Sequence, residues 1–462
     1  MRIIKSISII VAIMAMPAMA QKGITQEQLN KYRNACELSP SERALNNAVA
    51  VNGLKVLATS ANNAAYDTHF SNEVKSKGIT NQQKSGRCWL FTGLNVMRSK
   101  VISKYNMGSF SFSQNYCFFY DQLEKSNLFL QSIIDNASKP MDDRLVEWLF
   151  KNPISDGGQF TGISDLIMKY GLVPSDVMPE TFTSNNTSDY AKVISLKLRE
   201  DGLALRKMAA NGAKEKELLA KKDEMMAFVY KILVRCFGMP PQKFTWTLKD
   251  SKGNPVTTKE YTPQSFYKEY VNMDLHNDYV MFMNDPTRPF YKTYQIDLDR
   301  HTYDGKNWTY VNLPMEDIKS MAIKSIKDST MMYLSCDVGK ELNPKNGFED
   351  AGNYNYADLL GTEFLMDKKE RIMTFASGSS HAMTLMAVDL DATGKPVKWM
   401  VENSWGEDYG YNGHIIMTDS WFDEYVFRLV VNKKYIPQNI LDMSKQKPTM
   451  LPAWDPMFTQ EK

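Results

Sequence analysis

The chain is poor in the residues that build metal sites and disulfide frameworks. Its five cysteines (Cys36, Cys88, Cys117, Cys236 and Cys336) and five histidines are scattered over 462 residues, with no CxxC pair and no HxxH or HExxH spacing. That excludes zinc ribbons and helix-borne metallohydrolase sites, and no metal or organic cofactor is expected. An excess of one charge is also missing: 55 Lys and Arg face 53 Asp and Glu, for a formal net charge of +2. Beyond the first twenty residues no apolar run reaches transmembrane length, so stable membrane insertion is not expected. Internal repeats and low-complexity tracts are absent. What remains, 43% hydrophobic and 23% charged residues, is the composition of a globular chain long enough for more than one folding unit. The 29 methionines read as adaptable core filler.

Residues 1–20 stand apart. Arg2 and Lys5 form a basic start, residues 7–16 are a short apolar run, and Pro17 precedes the small-x-small pattern Ala18-Met19-Ala20. This reads as a secretory signal peptide cut after Ala20, with the mature protein periplasmic or secreted. Removing it takes the formal charge from +2 to 0, which leaves no basis for nucleic-acid or anionic-membrane binding. Export permits disulfides. The four cysteines other than Cys88 form no framework pattern, however, and are read as buried thiols.

Residues 21–75 are polar with short helical stretches, an N-terminal arm in which Ser41-Glu42-Arg43 can open a helix and Asn62-Asn63 close it. From Cys88 to about Lys104, Phe91, Leu94, Met97 and Val101 recur at helical spacing. Ser113 is placed to cap a helix carrying Phe118, Phe119, Leu123 and Leu128. After the turn Ser155-Asp156-Gly157-Gly158-Gln159, a face of Ile163, Leu166, Ile167 and Tyr170 predicts another helix, ended by Gly171. Residues 188–236 predict long helices turned near Asn211-Gly212, with the charges from Lys214 to Lys222 on a solvated face. Residues 240–315, rich in Pro, Asn, Asp and Tyr, predict irregular structure. Strand signals then cover residues 331–336, 381–389, 397–402, 414–418 and 425–431. A helical half precedes a β-rich half, so the fold class is α+β, and residues 446–462 form an extended, proline-broken tail.

One cysteine has surroundings the others lack. Cys88 lies in Asn81-Gln82-Gln83-Lys84-Ser85-Gly86-Arg87-Cys88-Trp89, and two later segments, Ser380-His381-Ala382-Met383 and Glu402-Asn403-Ser404-Trp405-Gly406, supply an imidazole and an amide. The order Gln, Cys, His, Asn is what a papain-type thiol hydrolase requires. A thiol with a pKa of about 8.5 is mostly protonated at neutral pH; a helix N-terminus and a nearby imidazole both favour the thiolate. Cys88 opens a predicted helix in one half, and His381 opens a predicted strand in the other. A cleft between the halves brings them together. The Asn403 side-chain oxygen can accept the His381 ring N–H and fix its tautomer, and Trp405 can shield that bond. The Gln82 amide and the Cys88 backbone N–H can hold a developing oxyanion, with Trp89 in support. Gly157 and Gly158 would admit an extended substrate backbone, since no Cβ intervenes. Taken alone, Cys88 reads as a core residue and His381 as a hydrogen-bonded core histidine; the combination with Gln82, Gly86 and Trp89 reverses this. His69, His276, His301 and His414 lack comparable surroundings.

The flanks extend further than a generic thiol protease requires. Ile79-Thr80-Asn81-Gln82, Ser85-Gly86-Arg87-Cys88-Trp89, Asp156-Gly157-Gly158-Gln159, Cys336-Asp337-Val338-Gly339-Lys340, Val401-Glu402-Asn403-Ser404-Trp405-Gly406 and above all Leu451-Pro452-Ala453-Trp454-Asp455-Pro456-Met457 resemble the bleomycin hydrolase and aminopeptidase C family, a branch of the papain superfamily. Cys88 and His381 are 293 positions apart, against about 130–150 in ordinary papain-like enzymes. An insertion accounts for the excess. The resemblance implies a papain-like two-subdomain fold, with a helical subdomain at 76–187, a mainly helical insertion at 188–320, a β-rich, barrel-like subdomain at 321–445, an N-terminal hook and a C-terminal arm at 446–462. It implies a homohexamer that takes peptide substrates, the arm lying in the cleft and its terminal carboxylate, here on Lys462 unless that residue is trimmed, pairing with the substrate's α-ammonium group. Two features depart from the family: its members are usually cytosolic, and Phe458-Thr459-Gln460-Glu461-Lys462 differs from a small-residue ending. The reading is an exported cysteine aminopeptidase with catalytic Gln82, Cys88, His381 and Asn403. Its rivals are an endopeptidase with an ungated cleft and a catalytically silent homo-oligomeric binding protein.

Overall fold

The computed structural model describes residues 23–457 apart from Glu37 and residues 62–66. The expected signal peptide, the Asn62-Asn63 helix end and the last five residues, Lys462 among them, lie outside the described residues. No helix among the described residues is long and apolar enough to cross a membrane.

The helical half is built around Cys88–Lys104, a helix with 14 of its 17 residues buried. A helix covered on all sides shows little amphipathic contrast and belongs at the centre of a domain. Gln114–Asp135 packs beside it, opened by Ser113, whose hydroxyl accepts from the Tyr116 N–H at 3.0 Å. Phe160–Tyr170 follows and ends at Gly171 with φ +75°. Thr187–Ala210 and Glu215–Phe237 form the expected hairpin, turned at Gly212 with φ +88°. Their Leu198, Leu205, Val229 and Leu233 pack into the same core as Phe129 and Ile133.

Residues 240–315 differ from expectation. They hold a hairpin (Phe244–Lys249 and Pro255–Tyr261), the helix Pro263–Tyr270 and the strands Tyr279–Met283, Lys292–Ile296 and Thr309–Asn312. The irregular reading of 240–315 is therefore corrected: within 188–320 the chain is helical to Phe237, and from Phe244 strands outnumber helices. Phe244–Lys249 does alternate, with Phe244, Trp246 and Leu248 buried, but the other strands are short and set among Pro, Asn and Asp, and give little period-two signal. Pairing imposes them, as where Phe282 lies opposite Leu429.

Those three strands join one twelve-stranded sheet. Its order is Thr449–Leu451, Lys292–Ile296, Thr309–Asn312, Tyr279–Met283, Val426–Asn432, Met332–Cys336, His381–Leu390, Pro396–Glu402, His414–Thr418, Phe348–Glu349 and Leu342–Asn343, with Asn72–Glu73 added beside His381–Leu390. Alternate residues face alternate cores. Ala382, Tyr333 and Val430 pack with the helical half, whereas Met383, Leu334 and Leu429 pack under the helices Met315–Lys327 and Asp419–Tyr425.

The N-terminal arm holds three helices, Gln26–Asn34, Pro40–Val51 and Leu54–Ala58, and the first two bury no residue. The second starts with Pro40 behind a Ser39 cap, two residues ahead of the expected position. No disulfide joins the five cysteines, but the expectation that the four besides Cys88 are all buried fails: Cys36 is exposed on the arm, where no core exists, and Cys236 is half-buried.

Glu349 is fully buried, and neither carboxylate oxygen has a hydrogen-bond partner. Burial, and secondarily Asp337, pushes its carboxyl well above the usual range. Its native pKa thus exceeds its unfolded one. The native state holds a proton that the unfolded state gives up as pH rises past about 4.5, and stability falls by about 1.4 kcal/mol for each pH unit from there to the native pKa. Glu349→Gln is expected to stabilise the protein at pH 8 more than at pH 5 in urea melts. An equal effect at both would mean that the carboxyl is not held neutral.

Candidate active site

The turn that delivers Cys88 is fixed by polar groups on every side. Gln82 Nε2 donates to the Ser85 carbonyl at 2.6 Å, and Ser85 Oγ donates back to the Gln82 carbonyl at 2.6 Å. Arg87 is fully buried; its Nε donates to Ser85 Oγ at 2.9 Å, and its fork grips Glu180 at 3.1 and 2.8 Å. The Gly86 N–H donates to Asp156 Oδ2 at 2.7 Å, and Trp89 Nε1 donates to the Asp156 carbonyl at 2.9 Å. The helix then begins at Cys88, whose side chain is buried at a terminus that no cap side chain occupies. The end of the macrodipole that favours negative charge therefore falls on the thiol.

His381 begins its strand opposite Cys336. Its Nε2 lies 2.8 Å from Asn403 Oδ1, and both residues are buried. Asn403 Oδ1 also accepts the Ser404 N–H at 2.8 Å, which turns the amide oxygen toward the ring and makes Nε2 the protonated nitrogen. Trp405 covers the pair with its ring centroid 4.7 Å from that of His381, and Tyr409 buttresses Trp405 edge-on at 4.7 Å.

Gln82 ties the two groups together. While its amide nitrogen holds the turn before Cys88, its Oε1 accepts from Ser404 Oγ at 2.7 Å and its backbone N–H donates to the Ser404 carbonyl at 2.8 Å. A continuous hydrogen-bonded path runs from the Cys88 turn through Gln82, Ser404 and Asn403 to His381. Thr384 Oγ1, donating to the Thr92 carbonyl at 3.5 Å, gives the His381 strand a second tie to the Cys88 helix. One Gln82 N–H bond is taken by Ser85; the other is the donor an oxyanion would need. The arrangement can carry out acyl transfer by a thiol.

Gly157 and Gly158 occupy the loop beside Asp156. The Gly157 N–H donates to Ser155 Oγ at 3.0 Å and its carbonyl accepts from Lys125 Nζ at 2.5 Å. A Cβ on Gly158 would overlap the His301 ring and the Trp89 indole, so packing alone demands glycine there. Sequence reasoning missed this backing: His301, set aside for want of a motif, is fully buried and bonded to Asp121. The C-terminal arm is docked as far as Met457. Thr449–Leu451 runs parallel to Lys292–Ile296, Arg288 joins Asp285 to Asp455, and the buried Arg428 donates to the Met457 carbonyl at 2.6 Å.

Two other clusters differ in character. Burial pushes the Cys117 thiol far up, with Asp121 adding to the effect; it carries none of the polar wiring around Cys88. Asp67, His69 and Asp389 converge at the surface. Lys398 already supplies their countercharge, 2.5 Å from Asp67 and 3.5 Å from Asp389.

Comparison with known proteins places this geometry. The Peptidase C1-like family profile matches residues 23–458. Bleomycin hydrolase of Rattus norvegicus is 40% identical over 395 residues, covering 83% of this chain and 86% of its own. Aminopeptidase C of Listeria monocytogenes is 36% identical over 440 residues, covering 95% and 99%. The crystal structure of PepW from Lactobacillus rhamnosis superposes with a TM-score of 0.92 at 38% identity, covering 95% of this chain and 99% of that one.

Gln82→Ala is expected to lower kcat by about 10²–10³, the usual cost of one oxyanion donor. Ser404→Ala, which only unties the amide, should cost less. Steady-state kinetics on both variants checks the order; an unaffected Gln82→Ala rules out the oxyanion role.

Proposed function

The chain belongs to the Peptidase C1-like family, the papain-like cysteine peptidases of bleomycin hydrolase and aminopeptidase C type, and we propose that it is an exported cysteine aminopeptidase whose cleft is gated by its own C-terminal arm. The observation that carries the mechanism is the path through Gln82, which holds the Cys88 turn and the His381–Asn403 pair in one frame.

In this reading the Cys88 thiolate attacks the carbonyl carbon of the first peptide bond. The carbonyl oxygen takes up charge against the Cys88 backbone N–H and the remaining Gln82 N–H. His381, as imidazolium, gives its proton to the leaving amine when the C–N bond breaks, and the acyl group stays on sulfur. His381 then removes a proton from water, which attacks the thioester and releases the amino acid. Asn403 keeps the ring oriented throughout, and Trp405 excludes solvent from their hydrogen bond.

The placement of the arm supports gating. Ala382, next to His381, lies opposite Ser335, and Ser335 lies opposite Arg428. Two strand spacings, about 10 Å, separate the first and last of these. Arg428 holds the Met457 carbonyl. Five further residues span up to roughly 17 Å, enough to bring the Lys462 carboxylate to a substrate's α-ammonium group and to block the cleft beyond one residue. The homohexamer draws support from the N-terminal arm, which exposes Leu45, Val51, Leu54 and Val56 on helices that bury almost nothing in their own chain. Export rests on the charge and apolar pattern of residues 1–20.

Cys88→Ala should abolish hydrolysis of aminoacyl amides without disturbing assembly. Deleting residues 458–462 should leave Cys88 reactive and move cleavage inward on peptides, read by mass spectrometry of the products. Unchanged aminopeptidase cleavage after that deletion would mean that the arm is not the gate, whereas internal cleavage by the intact protein would favour the ungated endopeptidase. Native mass spectrometry of the exported protein should show six chains, each beginning at Gln21.

A further inference from the structure

Behind the Cys88 turn lies a buried charged cluster that the chemistry above does not use. Asp121 and Lys125 sit one turn apart on Gln114–Asp135, and His301 comes from the loop after Lys292–Ile296. All three are buried. Lys125 Nζ lies 2.9 Å from Asp121 Oδ2, and Asp121 Oδ1 lies 2.5 Å from His301 Nδ1. Gln122 Nε2 donates to Asp121 Oδ2 at 2.9 Å. Burial, reinforced by the Lys125 charge, pulls His301 below its ordinary value despite Asp121. The ring is therefore neutral, with Nδ1–H donating to Asp121; its buried Nε2 has no hydrogen-bond partner, as suits a bare lone pair. For Asp121, burial pushes the carboxyl up, but Lys125 and His301 outweigh it and the net shift is down, so the carboxylate stays charged.

The two remaining hydrogen bonds of Lys125 point at the loop beside the thiol, and its ammonium also stands over the Trp89 ring at 5.3 Å. Its ammonium donates to the Ser155 carbonyl at 3.0 Å and to the Gly157 carbonyl at 2.5 Å. His301 fills the other side, edge-on to Trp89 with ring centroids 4.7 Å apart and against Gly158. Gln122 Nε2 also donates to the Ser155 carbonyl at 3.0 Å, and Asp156, between Ser155 and Gly157, is held by the Gly86 N–H and Trp89 Nε1. A cavity of about 460 Å³ backs residues 152–155, with Lys125 on its wall. The stretch leading into the glycines is thus located more by hydrogen bonds than by packing, whereas Gly158 itself is packed on His301 and Trp89.

We propose that Lys125, locked in place by Asp121 and His301, is a positioning residue for the substrate-binding wall: it sets where Gly157 and Gly158 stand beside Cys88, and so how tightly peptide is held. This rests on the reading that these glycines line the substrate cleft. Lys125 touches no reacting atom. Its loss acts on binding and leaves the thiol, imidazole and amide as they are.

The test is a kinetic split in the full-length mature protein. Lys125→Met is expected to raise KM for aminoacyl amides at least roughly fivefold while kcat stays within about threefold. Lys125→Arg, which can still bridge Asp121 and the carbonyls, should recover most of the lost affinity. Alkylation of Cys88 by iodoacetamide, a reagent too small to need the wall, should proceed at the wild-type rate in both. Unchanged KM in Lys125→Met, or equal damage in the Met and Arg variants in step with lowered melting temperatures, overturns the proposal. Should Lys125→Met fail to fold, Ser155→Ala removes the hydroxyl that holds the Gly157 N–H and should raise KM about two- to threefold; no rise there also overturns it. A wild-type Cys88 inert to iodoacetamide would instead sink the thiol mechanism, a separate outcome.

Discussion

The structure depends on a single side-chain amide fastened at both ends. Gln82 grips the turn before Cys88 with its nitrogen and the segment after Asn403 with its oxygen. It is nearly inaccessible to water, where a neutral hydrogen bond is stronger than at the surface and a broken one leaves an expensive orphan. Two halves that meet at one site have few ways to hold side chains to a fraction of an ångström. Here the register of one half is read directly against the other through a chain of short, buried contacts, and every partner in that chain is itself immobilised. The Arg87–Glu180 fork, the Asp156 carboxylate and the edge-on Trp405–Tyr409 contact all add stiffness to the same frame.

The core on either side follows from that requirement. A helix buried around its whole circumference presents the sulfur, and a strand packed on both faces presents the imidazole. Neither element can tilt without disturbing a dense interior. The machinery stands on rigid secondary structure, while the glycine loop beside it is held by hydrogen bonds, with the Lys125 ammonium on the Ser155 and Gly157 carbonyls and the Cys88 turn on Asp156.

The sequence was most legible where signals were long or chemically unusual. The Cys88–Lys104 and Gln114–Asp135 helices declared themselves through apolar spacing and a serine cap, and the flanks of Cys88, His381 and Asn403 singled out residues that the fold joins in one path. Between residues 240 and 315 the sequence was misleading, because strands of four to seven residues take their conformation from pairing, whether with a neighbour as near as Lys292–Ile296 to Thr309–Asn312 or as distant as Tyr279–Met283 to Val426–Asn432. The Asp121–Lys125–His301 cluster was invisible for a related reason: a lone histidine gains meaning only from a carboxylate 180 positions distant. Arg428 was equally silent, reading as one charge in an apolar run until Met457 is seen on its guanidinium.

The terminal strand has a further consequence. Thr449–Leu451 occupies the outermost place in the sheet and satisfies the backbone of Lys292–Ile296. Stripped of it, that neighbour would become a bare margin open to pairing with any extended chain nearby. The stretch just before Met457 therefore protects the sheet whether or not the residues after it gate the site, and its removal would invite aggregation.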